Sequence, residues 1–355
     1  MHARRRTCLL GLFILVSACT AASPQPSAQR SSGTEPSSST KASLDTGPPH
    51  NGLIATFTIT QTFRGLRVFD PVTDETRWQL PIEDFGSLAW SPDGTRLAVV
   101  TPGPRQNLTV YDANGAGQLR LNDIWHAAWS PDSATLAVAL LGSVALQSAE
   151  PGTQMIPIGP RWSVAELAWT PDGRSILFSS TGTEFDPSNP PVGEPPRHLY
   201  RLNVDDGSVT QLTEGPMIDH DLFVSPDGSR VAFKRADPST GGSEVILADI
   251  SGSLTSLGRV GWAGNPWSPD GTRLLLADQE AVWIATLEGE VVEVVGRPHD
   301  GLAPIGEGWS PDGAWVLIAW QATQGDLITL ETVAVDASER HDQGTGYGAS
   351  WQPLP

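Results

Sequence analysis

The chain has 355 residues and carries 40 acidic against 22 basic side chains, which gives a formal net charge of −18 at pH 7. Such a surface repels phosphate backbones and anionic headgroups, so we expect no nucleic-acid partner. The chain contains only two cysteines. This count argues against a disulfide framework and against a cysteine-based metal site.

The first segment is typical of an export signal. Residues 4–6 are three arginines, and residues 8–16 form an apolar stretch too short to span a bilayer as a mature helix. We therefore predict a signal peptide over residues 1–18, which is not part of the folded protein.

The end of this segment resembles the lipobox of bacterial lipoproteins. Residues 16–18, Val-Ser-Ala, place one aliphatic and two small residues directly before Cys19. The resemblance implies cleavage before Cys19 and a diacylglycerol thioether on its sulfur. That modification would anchor the protein to the cell membrane, with its folded part on the extracytoplasmic side. The alternative is an ordinary cleaved signal followed by an incidental cysteine.

Residues 19–50 follow with Ser, Pro, Thr and Ala and almost no large apolar side chain. Such a composition buries too little surface to fold. We predict a lipidated cysteine followed by a disordered tether, with the folded domain beginning at residue 51.

Three strand-like segments open that domain: LIATFTI, GLRVFD and TRWQL. A motif then recurs, first as "LAWSPDGTRLAVV" at residues 88–100. Its prolines are Pro92, Pro131, Pro171, Pro226, Pro269, Pro311 and Pro353, spaced by 39, 40, 55, 43, 42 and 42 residues. A period near 40 is the signature of a repeat architecture.

The repeat covering residues 163–214 shows the pattern of one unit: VAELAW, a Thr-Pro-Asp-Gly turn, SILFSS, HLYRLNV and SVTQLTEG. Short apolar or alternating runs separated by turn residues predict four antiparallel strands, which make one propeller blade. In the turn, Pro presets its φ, Asp bonds its own backbone and Gly supplies a positive φ. We interpret the motif tryptophans as packing between blades.

The repeated WSPDG and the segment LYRLNVDDGSVTQLTEGP resemble the propeller repeats of the TolB-like family, and related repeats occur in prolyl oligopeptidase-type enzymes. The resemblance covers roughly residues 52–355 and implies a β-propeller. It does not extend to the separate N-terminal α/β domain of TolB, and no G-x-S-x-G hydrolase elbow is present.

Six motif turns are followed by complete sets of strands, whereas the seventh is preceded only by YGASWQ and ends the chain. One C-terminal inner strand and three N-terminal strands would make one further blade. We therefore predict an all-β, seven-bladed propeller over residues 51–355, closed by joining the chain ends.

Propeller ligands usually bind at the face that carries the blade connections. These connections contain Phe85, Trp125, His126, Trp162, Asp219, His220, Asp221, Trp262, His299, Asp300, His341 and Asp342. As the candidate binding face we select Trp125, Trp162, Asp219, His220, Trp262, His299 and His341. The three His-Asp pairs would also suit a metal or acid–base site. Their unequal distances from the motif prolines argue against that, so we predict no metal, cofactor or catalytic residue.

The sequence thus favours a membrane-anchored bacterial lipoprotein whose propeller binds a protein, peptide or glycan partner at the cell envelope. The alternative is a propeller enzyme, a lyase or hydrolase acting on an envelope or extracellular polymer. Titratable groups converging on the propeller axis would distinguish the two.

Overall fold

The computed structural model describes residues 52–102, 106–184, 186, 188, 195–249, 252–258, 261, 264–278, 280–287, 290–296, 302–322 and 328–354. The predicted signal peptide, Cys19 and the tether lie outside these residues. None of the described segments forms a helix of the length and apolar character needed to cross a membrane.

The described residues form 27 strands and no helix. The first three strands are β1 (Ile54–Ile59), β2 (Arg64–Phe69) and β3 (Thr76–Pro81). Blade 1 consists of β4 (Ser87–Trp90), β5 (Arg96–Thr101), β6 (Asn107–Asp112) and β7 (Gly117–Asn122). Blade 2 consists of β8 (Ile124–Trp129), β9 (Thr135–Leu140), β10 (Ser143–Ser148) and β11 (Ile156–Ile158). Blade 3 consists of β12 (Trp162–Trp169), β13 (Ser175–Glu184), β14 (His198–Asn203) and β15 (Val209–Gln211).

Blade 4 consists of β16 (Ile218–Val224), β17 (Arg230–Asp237), β18 (Gly242–Asp249) and β19 (Leu254–Gly258). Blade 5 consists of β20 (Arg273–Ala277), β21 (Ala281–Thr286) and β22 (Val291–Gly296). Blade 6 consists of β23 (Leu302–Trp309), β24 (Trp315–Ala322), β25 (Ile328–Ala334) and β26 (Arg340–Thr345). Blade 7 combines β27 (Tyr347–Trp351) with β1, β2 and β3, in the order β27-β1-β2-β3.

These seven sheets confirm the predicted seven-bladed β-propeller. Neighbouring strands within each blade pair antiparallel, for example β4 with β5 and β8 with β9. In blade 7 the C-terminal strand pairs with the first strand of the domain, with Trp351 opposite Ile54.

Blade 5 departs from the four-stranded pattern at its inner edge. The segment before its motif turn makes only isolated bridges to β20, Gly261 with Ala277 and Trp267 with Leu274. Pro266 lies within that segment and has no N–H to give to a ladder, which accounts for the interruption.

The core is divided among the interfaces between blades. The buried apolar residues of the described chain form seven clusters, and each draws on two adjacent blades. Trp129 of blade 2 packs with Leu108 of blade 1, and Trp90 of blade 1 packs with Phe57 of blade 7. Burial of apolar side chains between sheets is therefore the main stabilising contribution at every interface.

The motif turns are built by one hydrogen-bond pattern. In blade 1 the Ser91 hydroxyl donates to Asp93 Oδ1 at 2.6 Å and accepts from the Arg96 N–H at 3.0 Å. Gly94 has a φ of 68° and closes the turn. The same hydroxyl-to-carboxylate bond recurs in the other five complete motifs.

The motif tryptophans join successive blades, as the sequence predicts. Each described bond runs from the indole Nε1 to a backbone carbonyl of the preceding blade. The pairs are Trp90 with Ser350, Trp129 with Ala89, Trp169 with Ala128, Trp267 with Phe223 and Trp309 with Pro266, at 2.9–3.2 Å.

Gln352 takes the place of the motif serine in the last repeat. It forms hydrogen bonds to Leu53, directly before β1, and to Gly94 in the motif turn of blade 1. Its backbone N–H donates to the Leu53 carbonyl at 2.8 Å, and its Oε1 accepts from the Leu53 N–H at 3.0 Å. Its Nε2 donates to the Gly94 carbonyl in blade 1 at 2.6 Å. One side chain therefore bonds the C-terminal strand to the first strand and to the next blade.

Deletion of residues 346–355 should severely destabilise the domain. The deletion removes β27 and the Trp351 side chain, which is only 8% exposed. Loss of one buried Trp costs about 3–5 kcal/mol, against a typical domain stability of about 5–15 kcal/mol. Thermal unfolding tests this, with deletion of residues 354–355 as the control. A larger deletion that melts within about 2 °C of the parent would contradict this role of β27.

Candidate functional site

Trp125 and Trp162 both lie where an inner strand begins, but their environments differ. Trp125 is the second residue of β8 and is 47% exposed. Trp162 begins β12, and its ring lies 5.0 Å from that of Tyr200 and 6.4 Å from that of Phe178. Trp125 is therefore available to a partner, whereas Trp162 packs within blade 3.

Asp219 and His220 lie on β16, the inner strand of blade 4. Asp219 is fully buried and pairs with the Arg235 guanidinium through two hydrogen bonds of 2.7 and 2.9 Å. A bidentate pair of this kind fixes both side chains. Asp219 is thus part of the architecture of blade 4, and His220 is the member of the pair that faces the neighbouring carboxylate Asp221.

His341 lies elsewhere. The structure places it on β26, the outermost strand of blade 6, with its ring 5.2 Å from that of Trp315 and its Nε2 3.6 Å from Glu339. It is thus not part of the group on the inner strands. Trp262 and His299 lie outside the described residues.

One position of the repeat, five residues before each motif proline, includes His126 and Asp221 of the blade connections together with Glu166, which the sequence did not single out. The residues at this position are Ser87, His126, Glu166, Asp221, Gly264, Gly306 and Gly348. The pairing register of the inner strand shifts around this position in blades 2, 3, 4, 6 and 7. Bulges re-aim side chains and are frequent beside functional sites. Aligning the repeats on their prolines would have revealed the titratable residues of three consecutive blades.

His126 is held neutral in blade 2. Its Nδ1 accepts a hydrogen bond of 3.3 Å from the Leu167 N–H of blade 3, which leaves the ring hydrogen on Nε2. Burial lowers the pKa of His126 to about 4, and the negative charge of Asp221 opposes that shift only in part. At neutral pH this imidazole is therefore a fixed hydrogen-bond donor.

Asp221 is held ionised in blade 4. The Lys234 ammonium lies 2.9 Å from its Oδ2, and His220 Nδ1 lies 3.5 Å from the same oxygen. Burial alone would raise the pKa of Asp221, but the His220 hydrogen bond and the Lys234 charge outweigh it and hold the pKa well below its usual value. Asp221 also has a φ of 52°, a left-handed conformation that Asp adopts more readily than most residues.

Glu166 lies in blade 3, between these two. Burial, followed by the negative charge of Asp221, raises its pKa against the opposing charges of His220 and Arg197. Its Oε2 is shielded from solvent and accepts no hydrogen bond from any described residue. Asp221 acts electrostatically on both Glu166 and His126, and the three residues hold one repeat position on the inner strands of blades 2, 3 and 4. We call His126, Glu166, His220, Asp221 and Lys234 the axial cluster.

Glu307 is a further carboxyl at the inner strands. It is the extra residue of the bulge in β23, is 5% exposed and accepts a hydrogen bond of 3.2 Å from the Gly348 N–H of blade 7. Burial raises the pKa of Glu307 to about 7, against the backbone N–H groups of Gly348 and Ala349. The backbone approaches closely here, since a Cβ on Gly264 would lie 1.7 Å from the Glu307 carbonyl oxygen.

Within the described part of the chain, no three His, Cys, Asp or Glu side chains are arranged to hold a metal ion. The axial cluster therefore offers ionic and hydrogen-bonding groups: an ionised carboxylate, a carboxyl with spare acceptor capacity and a neutral imidazole donor. Trp125 adjoins His126 in the chain and adds an exposed aromatic surface at the end of the propeller where the inner strands begin. We call that end the axial face.

No protein-family model matches the chain, and no curated protein sequence resembles it significantly. Among solved structures, TolB from Acinetobacter baumannii has a TM-score of 0.47 at 19% identity, covering 81% of this chain and 79% of that one. Hydrazine synthase from Kuenenia stuttgartiensis has a TM-score of 0.53 at 16% identity, covering 71% and 78%. A prolyl endopeptidase has a TM-score of 0.58 at 13% identity, covering 86% of this chain and 51% of that one. At these identities the likeness concerns the fold alone.

The buried carboxyl of Glu307 should make the stability pH-dependent. Its pKa is about 7 in the folded state against 4.5 as the reference, so its protonation stabilises the fold fully below pH 4.5. That contribution is lost as the pH rises through 7. Relative to Glu307→Gln, the wild type should lose about 3 kcal/mol between these limits.

Urea unfolding of both proteins across this pH range measures the difference, and Glu290→Gln, an exposed site in blade 5, is the control. A wild-type-minus-variant difference that is flat with pH would show that Glu307 titrates normally.

Proposed function

We propose that this protein is a bacterial lipoprotein, anchored through Cys19, whose propeller binds a protein partner at its axial face. The observation that carries the binding role is that titratable side chains occupy one repeat position on the inner strands of three consecutive blades, and that the exposed Trp125 adjoins the first of them in the chain. Exposed aromatic side chains next to charged groups are the usual anchors of protein interfaces. Trp125 is not one of the six motif tryptophans, which pack between blades.

The anchoring part of the proposal rests on the N-terminal sequence. A basic region, a short apolar stretch and Val-Ser-Ala before Cys19 occur in the order that lipidation requires. The polar segment that follows, of about thirty residues, would give a coil with a reach on the order of 30 Å. The propeller would thus stay near the membrane while its axial face turned freely toward a partner.

A propeller enzyme, a lyase or hydrolase of an envelope or extracellular polymer, is the second candidate. The axial cluster is the observation that favours it, because burial moves the pKa of Glu166 upward and that of His126 downward. Binding is favoured over catalysis because Asp221 is already paired with Lys234 and the His126 Nδ1 is occupied by a backbone N–H. These two groups are therefore not free to exchange protons.

Cys19→Ala should release the protein from the membrane. Without the thioether there is no acyl chain to insert, and a surface of net charge −18 has no affinity for anionic lipid. Fractionation of the cells followed by detection of the protein measures this, with Cys8→Ala as the control because that residue lies within the predicted signal. Tight membrane association of the Cys19→Ala variant would overturn the lipoprotein part of the proposal.

The axial face should cross-link to a partner in the native host. A photoreactive phenylalanine analogue placed at Trp125 should give a specific protein adduct. The same analogue at Ile156, which is 63% exposed on the outer strand of the same blade, should not. In the Trp125→Ala variant the photoreactive group is moved to Ala165, which precedes Glu166 in β12. Loss of the indole should weaken adduct formation at that position by about tenfold. Equal labelling from both positions, or none from position 125, would contradict binding at this face.

A further inference from the structure

Two carboxylates of the axial cluster hold the same repeat position on the inner strands of neighbouring blades but have unequal partners. Asp221 is compensated by Lys234 at 2.9 Å and by His220 at 3.5 Å. The shielded Oε2 of Glu166 accepts no hydrogen bond from the described residues. The charges of His220 and Arg197 favour the ionised form of Glu166, whereas Asp221 acts on it as a like charge and opposes its ionisation. Glu166 therefore lacks a hydrogen-bonded cation of the kind that Lys234 gives to Asp221.

An unpartnered shielded carboxylate is costly, and apart from protonation the group that removes the cost is a cation that can also donate hydrogen bonds. Arg197, whose positive charge acts on Glu166, leaves its own Nε without a described hydrogen-bond acceptor. Its charge thus acts on Glu166 without a hydrogen bond to Oε2. The Ser179 hydroxyl also favours the ionised form of Glu166, and it donates to the Asp219 carbonyl at 2.9 Å.

The surroundings favour an organic cation over a metal ion. The described residues offer no set of three carboxylate, imidazole or thiolate ligands. Trp125, which adjoins His126 in β8, is exposed, and an indole face of this kind can contact an ammonium or guanidinium. The net charge of −18 steers a basic partner toward the protein.

We infer that the axial cluster receives the side chain of a lysine or arginine from the partner protein, with its ammonium or guanidinium bound between Glu166 and Asp221. The inference rests on the proposed function, since it names the chemistry by which the axial face recognises its partner. His126, neutral and fixed by Leu167, contributes a hydrogen-bond donor for the neighbouring backbone of the inserted residue.

The test uses short capped peptides that differ at one central residue: lysine, arginine, Nε-acetyllysine or glutamine. Isothermal titration with the full propeller should give affinities for the lysine or arginine peptide about tenfold above those for the glutamine peptide. Acetylation retains the side-chain length and removes the charge, so the acetyllysine peptide should bind like glutamine. This comparison needs no protein variant and is therefore independent of folding.

In Glu166→Gln the preference for the basic peptides should fall below about threefold. Glu150→Gln is the matched control. Glu150 is exposed and follows β10 in blade 2, and its carboxylate lies 3.8 Å from the Arg96 guanidinium. Thermal unfolding of both variants establishes that they are folded. Equal affinity for charged and neutral peptides, a preference that survives in folded Glu166→Gln, or no binding by any peptide would each overturn the inference. If the propeller bound the oligosaccharide chitotetraose more tightly than the lysine and arginine peptides, the site would be a glycan site, and this result would also overturn the inference.

Failure here is distinguishable from failure of the proposed function. Specific cross-linking at Trp125 without a preference for basic peptides would support binding at the axial face and contradict only the inference that a lysine or arginine side chain is bound. Absence of the cross-link at Trp125 would remove the proposed binding face itself.

Discussion

The indole hydrogen bond from one blade to the next is the interaction on which the rest of the structure depends. Five motif tryptophans pack in an interface between blades and donate to a carbonyl of the preceding blade, as Trp129 does to Ala89 at 3.0 Å. The bond fixes the position of one inner strand along the propeller axis relative to the next strand. The surrounding apolar cluster supplies most of the stabilisation. In blade 4, Val224 replaces the indole, so the interface between blades 3 and 4 has no motif-tryptophan bond, whereas Trp267 still donates from blade 5 to blade 4. The interface without the indole is held by its apolar cluster, which includes Leu177 and Phe233.

The indole bonds fix the inner strands at the end near the motif turns. The residues nearer the start of each inner strand are not needed for this packing. In blades 2, 3, 4, 6 and 7 a bulge lies between the start of the inner strand and the motif turn, and the residue at the bulge is not needed for the ladder. Glycine fills that position in three blades, and at Gly264 the close approach of the Glu307 carbonyl allows nothing larger. His126, Glu166 and Asp221 fill it in blades 2, 3 and 4. The ring is thus uniform in its packing and asymmetric in its chemistry, so a partner would engage one side of the central space.

The elements that the sequence predicts correctly are those governed by local rules. Turn type, strand pattern, blade number and the packing role of the tryptophans all follow from residues a few positions apart. The site is different because its properties depend on distant partners. Trp125 and Trp162 both lie near the start of an inner strand, yet only the fold gives Trp162 the ring of Tyr200 to pack against. From the sequence Asp219 is indistinguishable from an accessible acid, and only the structure shows its buried ion pair with Arg235. Glu166 has no distinguishing neighbour in the sequence, and only the repeat position relates it to His126.

Departures from the repeat are therefore more informative than the repeat itself. The consensus residues are explained by packing and turn geometry, so they carry no functional information. Asp221 adopts a φ of 52°, where blade 7 uses Gly348 at 58°, and this less favourable conformation persists because Lys234 and His220 hold the carboxylate in place. The left-handed conformation costs backbone energy that glycine would not, whereas the low pKa of Asp221 shows that its ion pairs offset the cost of desolvating the carboxylate. Glycine fills the same position in three other blades, so the fold does not require a titratable side chain there, which is the physical argument for function at this position.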